Sequence, residues 1–170
     1  RSVFACGDFN QRLTTWGVRT PEALSWSLPG SEVREITVAY RQSRQLNDLA
    51  RDIIRVVGGT VQNASLPAEV DNDVASPVLL ENSSQPETVE WLASRIAEIE
   101  RFVEQLPSIA VFVNGEVDVE PTAKALEALL GEHNIPVTAC TEGKIVGQES
   151  SVRVFDIQHI KGLEFEAVFF

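Results

Sequence analysis

The chain has 170 residues, which is enough for one domain with a hydrophobic core and short for two. Hydrophobic residues make up 44% and charged residues 23%, and no apolar run approaches the roughly 20 residues of a membrane helix. We therefore predict a cytoplasmic globular protein with no membrane partner. The net charge of −11 argues against a free-standing nucleic-acid binder that works through a broad basic face.

In the N-terminal part, apolar runs that end at turn residues predict two strands, and apolar residues at helical spacing predict one helix. A stretch interrupted by prolines and a glycine indicates a linker, with a domain boundary near residues 29–31. A Gly-Gly pair ends the helix. The predicted elements are the strands Arg1–Cys6 and Ile36–Tyr40 and the helix Ser43–Val57.

Toward the C-terminus, strands alternate with helices, and several strands are apolar on both faces. This pattern predicts an α/β sandwich in which helices cover a mostly parallel sheet, and such sheets bind ligands at the carboxyl ends of their strands. Both helices carry an inward apolar face, to which we assign Val103 and Leu129 among others. The predicted elements are the strands Pro77–Glu81, Ser108–Val113, Ile135–Cys140, Val152–Ile157 and Glu166–Phe170 and the helices Thr88–Gln105 and Pro121–His133.

The cysteines and histidines are few and stand far apart. Cys6 and Cys140 each lie in an apolar stretch, which indicates buried free thiols in a reducing compartment rather than a disulfide. Two cysteines and two histidines that stand singly form no metal-binding motif, so no metal site is predicted.

The stretch ACGDFNQRLTTW places polar and aromatic residues after the first predicted strand. The amide of Gln11 can orient a water or hydrogen-bond a phosphate, because it offers both a donor and an acceptor. Trp16 offers a flat surface on which a base can stack. A turn with one tryptophan folded back on the core is the simpler explanation, and the stretch taken alone favours it.

A second polar stretch, ITVAYRQSRQLNDLA, follows the strand Ile36–Tyr40. Tyr40 can stack on a base and Arg41 can grip a phosphate, while Ser43 can cap the next helix. Alternatively, Tyr40 packs at the sheet edge and Arg41 forms an ion pair with a surface acid. When this stretch is considered by itself, we prefer this explanation.

The third stretch, QHIKGLEFEAVFF, sets a polar quartet between apolar residues. Gly162 permits a positive φ or a close approach of the backbone to a ligand. Lys161 beside it suits a phosphate, and Glu164 suits a ribose hydroxyl. A charged loop between two buried strands is the structural alternative, but the Lys-Gly-Leu-Glu-Phe order is much more specific than the earlier stretches.

Taken in order, GDFNQRLTTW, ITVAYRQS and VFDIQHIKGLEFEAVFF resemble motifs III, IV and V of the superfamily one DNA helicases of the UvrD/Rep type. Trp16 follows Gln11 by five residues, the spacing of the tryptophan and glutamine of that family's motif III. The resemblance implies that residues 1–30 are the tail of a first motor domain and a linker. Residues 31–170 would then be a second, RecA-like motor domain, truncated before motif VI.

The resemblance implies an ATP site between the two motor domains and a site for single-stranded DNA. Gln11 would sense the γ-phosphate or the attacking water, Tyr40 would stack on the adenine, and Arg41 would be an arginine finger. Glu164 would hydrogen-bond the ribose. Trp16 would stack on a base of single-stranded DNA, and Lys161 with the backbone at Gly162 would link the nucleotide to the strand.

The resemblance also implies what the chain lacks. It contains no phosphate-binding loop G-x-x-x-x-G-K-S/T and no Asp-Glu pair at a strand end for Mg²⁺. We therefore expect the full-length helicase, a hydrolase that acts in DNA repair, to bind ATP and Mg²⁺. The fragment alone is expected to be inactive and to bind no cofactor tightly. Thr14, Gly17 and Gln158 depart from the family's motifs, and His159 stands one place after the family's histidine.

Two other classes of function stay open at this point. A non-catalytic helicase-like module that docks on a polymerase or a DNA-repair partner fits the net charge and the departures. A small-molecule enzyme on a similar sheet would need an acid/base pair or a nucleophile, and the sequence contains no such constellation.

Overall fold

The structure is a computed structural model that describes residues 16–34, 43–58, 76–103, 105–147 and 150–170. The chain divides into two compact units, Arg1–Leu79 and Leu80–Phe170. The domain boundary expected between residues 30 and 31 stays a prediction. The predicted strands Arg1–Cys6 and Ile36–Tyr40 lie outside the described residues.

In the first unit, helix α1 spans Pro21–Ser27, where the sequence predicted no regular element. The Thr20 hydroxyl accepts a hydrogen bond from the Ala23 N–H at 3.2 Å, and Pro21 occupies the first helical position. A proline at this position needs no hydrogen-bond donor and already has a helical φ. The residue that the sequence analysis treated as a breaker therefore starts a helix.

Helix α2 spans Arg44–Val56 and confirms the helix predicted over Ser43–Val57 from apolar spacing. The Ser43 hydroxyl accepts a hydrogen bond from the Leu46 N–H at 3.2 Å, as expected of an N-cap. Gly58 follows the helix with φ 73°, a left-handed conformation that ends helices.

The second unit contains a sheet of four parallel strands, which confirms the predicted α/β class. These are β1 (Ile109–Val113), β2 (Val137–Ala139), β3 (Val152–Asp156) and β4 (Ala167–Phe169). The strand order is β2-β3-β1-β4, and every neighbouring pair is parallel. Strands β1 and β3 are therefore neighbours, although β2 lies between them in the sequence.

Two helices cover one face of this sheet. Helix α3 spans Gln85–Phe102 and α4 spans Val119–Leu130. Their apolar faces enclose a core with alternate residues of the two central strands. The buried members of this core include Val89, Leu92, Ile96, Ile109, Val111, Val119, Leu126, Leu130, Val152 and Val154.

A smaller aromatic core lies on the second face of the sheet. Phe112 and Phe155 are stacked there, with ring centroids 5.7 Å apart. Ala110 and Cys140 complete the buried set, and Cys140 is a free thiol as predicted. Among the described residues, the partly buried hydrophobic side chains that pack over this face come from the segment after β3.

Three details differ from the sequence-based expectations. Residues 77–81 form no strand, and Val78 and Leu79 are exposed. Val103 lies beyond the end of α3 and Leu129 on the outer side of α4, and both are 41–42% exposed. An apolar residue at the edge of a helical stripe stays in solvent when no neighbouring element covers it.

Within the described ranges, no helix combines the length and the apolarity needed to cross a membrane.

The start of α3 carries a capping box, because Ser84 and Glu87 bind each other. The Glu87 carboxylate accepts hydrogen bonds from the Ser84 N–H at 2.7 Å and from the Ser84 hydroxyl at 2.6 Å. The Ser84 hydroxyl foremost, and then its N–H, lowers the pKa of Glu87 below the ordinary 4.5. A lowered pKa in the folded state stabilises the fold above pH 4.5, and this stabilisation is lost as the pH falls through the folded-state pKa.

We therefore expect Glu87→Gln to lower the melting temperature at neutral pH and to leave it nearly unchanged at an acidic pH below the folded-state pKa of Glu87. Thermal unfolding followed by circular dichroism across this range measures the difference. Glu90→Gln removes another exposed carboxyl of the same helix and is the control. An equal effect of Glu87→Gln at both pH values would contradict the assignment.

Candidate functional site

Three of the residues that the resemblance assigns to ATP lie outside the described residues. They are Gln11, Tyr40 and Arg41. Their expected roles stay predictions. Of the other assigned residues, Trp16 lies in the first unit, and Lys161, Gly162 and Glu164 lie in the second.

Trp16 has an exposed side chain. Its exposed fraction is 77%, so the ring is accessible to solvent and is not folded into a core. The alternative of a tryptophan packed as a lid on the core is therefore wrong. An accessible indole retains the flat surface that stacking on a base requires.

The segment 157–166, which we call the return segment, joins β3 to β4. It leaves the carboxyl end of β3 at Asp156. Since β4 is parallel to β1 and Ala167 pairs with Ile109, the segment must return to the amino end of the sheet. There the Glu166 carboxylate accepts a hydrogen bond from the Ser108 N–H at 2.8 Å, and the Glu166 N–H donates to the Ser108 hydroxyl at 3.0 Å.

The return segment separates its apolar and polar residues. Ile157, Ile160, Leu163 and Phe165 pack on the aromatic core of the second face. Lys161, Gly162 and Glu164 are exposed. Gly162 has φ 80°, and a Cβ built there would meet nothing within 4 Å, so the backbone conformation and not close packing requires glycine. The charged residues Lys161 and Glu164 thus face solvent on a segment that covers the second face of the sheet.

A second cluster of functional side chains lies at the carboxyl ends of β1 and β3. Glu116 begins the 3₁₀ turn Glu116–Asp118 after β1, Asp156 is the last residue of β3, and His159 ends the 3₁₀ turn that follows. We call these three residues the carboxylate–histidine cluster. One potential ligand atom from each of the three lies within 4.8 Å of the others.

The cluster is held by backbone hydrogen bonds. The Glu116 Oε1 accepts from the Glu142 N–H at 2.7 Å, and the Asp156 Oδ1 accepts from the Gln158 N–H at 3.0 Å. The Glu116 Oε2 lies 3.6 Å from the His159 Nε2. This distance exceeds that of a hydrogen bond. The Glu116 Oε2 is buried and has no hydrogen-bond partner in the described part of the chain.

Gly143 fixes one side of the histidine. Its φ is 68°, and a Cβ at this position would lie 2.8 Å from the His159 Cγ and Nδ1. Real Cβ atoms do not approach a neighbour this closely, so only glycine lets the loop after β2 pack on the ring. The ring is held from that side while its side chain stays 38% exposed.

Sequence reasoning missed this cluster. It singled out His159 only as a departure from the family's motif, and it predicted no metal site. Glu116 and Asp156 follow different strands, and the sequence does not show that these strands are neighbours. A carboxylate just after each of two apolar strands was the available signal, because the carboxyl ends of parallel strands meet at one edge of the sheet.

The described residues thus form an α/β unit with polar side chains at two places, the return segment and the carboxylate–histidine cluster. Comparisons of the chain with protein-family models, with curated proteins and with solved structures give no match. The sequence motifs and the geometry of these side chains are the grounds on which a function is assigned.

Proposed function

We propose that residues 31–170 belong to the second RecA-like motor domain of an ATP-dependent DNA helicase or translocase of the UvrD/Rep type, moving 3′ to 5′, and that residues 1–30 are the tail of its first motor domain and a linker. The position of the Lys-Gly-Leu-Glu-Phe motif carries this proposal. The motif lies on the return segment directly after a central parallel strand, its apolar residues pack on the sheet, and Lys161 and Glu164 face solvent. Both charged side chains therefore lie where a ligand can reach them.

The ATP site would lie between this domain and a first motor domain of the same protein. Tyr40 would stack on the adenine, Glu164 would accept a hydrogen bond from the ribose, and Gln11 would orient the attacking water. Arg41 would reach the γ-phosphate on closure. ATP, bound together with Mg²⁺, would supply the phosphoryl group. Arg41 would stabilise the negative charge on this group. The exposed carboxylate of Glu164 fits a ribose contact.

Single-stranded DNA would run past Trp16 and Lys161. The exposed ring of Trp16 offers a base a stacking surface, and the ammonium group of Lys161 offers a phosphate a counter-charge. Repeated closure and opening around ATP would move the strand past these contacts. The protein would act in the cytoplasm, in DNA repair or a related process.

The net charge of −11 favours a second candidate function. In this alternative the chain is a non-catalytic helicase-like module that docks on a polymerase or a DNA-repair partner. A motor domain of this charge would bind DNA through few contacts, with a more basic first domain supplying the rest. ATP hydrolysis distinguishes the two candidates, because only the motor requires it.

We expect the full-length protein that contains this chain to hydrolyse ATP faster when single-stranded DNA is added. Lys161→Ala should weaken DNA binding and reduce the logarithmic salt dependence of the binding constant by about 0.7, the value of one phosphate contact on a single strand. Fluorescence anisotropy with labelled DNA at several salt concentrations measures both effects.

Lys124→Ala is the matched control for this experiment, because Lys124 is an exposed lysine on α4, away from the return segment in sequence. It should leave DNA binding unchanged. A protein that hydrolyses no ATP with or without DNA would overturn the motor assignment and support the docking module. Equal effects of the two lysine variants would remove Lys161 from the DNA site.

A further inference from the structure

We propose that the carboxylate–histidine cluster is a binding site for one divalent transition-metal ion of the Zn²⁺ type. Glu116, Asp156 and His159 would be its three protein ligands, and a water would take the fourth position. This inference goes beyond the proposed motor function, because the ATP-bound Mg²⁺ of a helicase is expected elsewhere.

The chemistry of the ligand set selects the ion. Two carboxylate oxygens and one imidazole nitrogen are ligands that Zn²⁺ accepts, and three protein ligands with an open position are typical of accessible zinc sites. Mg²⁺ prefers oxygen ligands in an octahedral arrangement and keeps several waters. The imidazole of His159 therefore favours a transition metal over Mg²⁺.

The distances suit a single ion. Ligand atoms at ordinary Zn–O and Zn–N bond lengths lie about 3.3–3.5 Å apart in a tetrahedral site. The His159 Nε2 and the Glu116 Oε2 are already 3.6 Å apart. The full set of three atoms lies within 4.8 Å, so side-chain shifts of roughly 1 Å would bring Asp156 into coordination.

An independent observation is the unsatisfied oxygen of Glu116. Its Oε2 is buried and has no hydrogen-bond partner among the described residues, while its Oε1 is held by the Glu142 N–H. The nearest cationic group to this oxygen is the His159 Nε2, 3.6 Å away and beyond hydrogen-bond distance. A buried carboxylate oxygen that makes no hydrogen bond is costly, and native proteins rarely leave one. A cation between Glu116 and His159 would bind this oxygen and the His159 Nε2 together.

The site also lies at the position where parallel sheets usually bind ligands. After β1 the chain continues into α4, which covers the first face, and after β3 it continues into the return segment, which covers the second. Two adjacent strands whose connections leave to opposite faces form a topological switch point, the usual ligand position in such sheets. Glu116 and Asp156 follow or end these two strands.

The neighbouring residues hold the ligands in place without closing the site. Gly143 packs against one side of the His159 ring, and the backbone hydrogen bonds orient both carboxylates. Asp156 is 5% exposed, whereas the side chains of His159 and Glu116 are 38% and 40% exposed. An ion can therefore enter from the solvent side of His159 and meet a buried carboxylate at the base of the site.

Isothermal titration of the full chain with Zn²⁺ alone tests the proposal. We expect one high-affinity ion per chain and a rise in melting temperature when Zn²⁺ is added. Glu116→Gln, Asp156→Asn and His159→Gln should each weaken binding by roughly 10²-fold or more, since even losing a residue that only orients a ligand costs 10–100-fold. Both amide variants retain the oxygen that accepts the observed backbone hydrogen bond, so circular dichroism should show them folded.

His133→Gln is the matched control, because His133 is the other histidine of the chain and lies in the 3₁₀ turn after α4. It should bind Zn²⁺ as tightly as the wild type. Absence of tight binding by the wild type, unchanged binding by the Glu116 and Asp156 variants, or loss of binding by the His133 variant would each overturn the proposal. The titration contains no nucleotide or DNA, so its result does not depend on the motor assignment.

Discussion

Replacing Arg41 with alanine in the full-length protein is expected to slow ATP hydrolysis by about 10³–10⁵-fold, the usual contribution of an arginine finger. The guanidinium group would stabilise the charge that develops on the γ-phosphate oxygens as the bond to the leaving group breaks. Its effect would therefore fall on turnover more than on ATP binding. Steady-state hydrolysis at saturating single-stranded DNA measures the turnover, and nucleotide binding is measured separately.

Two further variants make this experiment specific. Arg41→Lys keeps the charge but loses the planar fork, so it should restore only part of the rate. Arg55→Ala removes an exposed arginine of α2 that pairs with Asp52 at 2.8 Å on the helix surface, and it should leave turnover unchanged. If Arg41→Ala hydrolysed ATP at nearly the wild-type rate, the arginine-finger assignment would be wrong.

Phe155→Ala is expected to lower the free energy of unfolding by about 3–5 kcal/mol, as for other large-to-small changes in a core. Phe155 is 0% exposed and is the largest fully buried side chain of the described residues. It stacks on Phe112 and lies 5.7 Å from Phe165 between ring centroids. Removing it would open a cavity on β3, since the ring packs against Phe112 of β1 and Phe165 of the return segment.

Urea denaturation measures this loss, and the size of the effect tests the second face of the sheet. Phe102→Ala is the control, because Phe102 ends α3 with 82% exposure, and it should change the stability by no more than about 0.5 kcal/mol. Comparable destabilisation by the two variants would contradict the buried position of Phe155. Near-UV circular dichroism should also change in the Phe155 variant, because its packing with Phe112 is lost.

The elements with strong periodicity were predictable from the sequence. Helices α2, α3 and α4 and the strands of the second unit lie close to their predicted positions, because each has either an apolar stripe at helical spacing or a largely apolar run of strand length. Pro21 and residues 77–81 show where local patterns were insufficient. A proline can begin a helix as well as interrupt one, and a short apolar run becomes a strand only when a neighbouring strand pairs with it.

The candidate site was predictable only in part. The sequence alone determined the motif order, the exposed charge pattern of Lys161 and Glu164, and the parallel α/β class, since these depend on residue type and local spacing. Only the tertiary structure decided that Glu116, Asp156 and His159 meet. They meet because β3 inserts beside β1 while β2 is displaced to the edge, and strand order in a parallel sheet is set by packing of the whole unit rather than by any one segment.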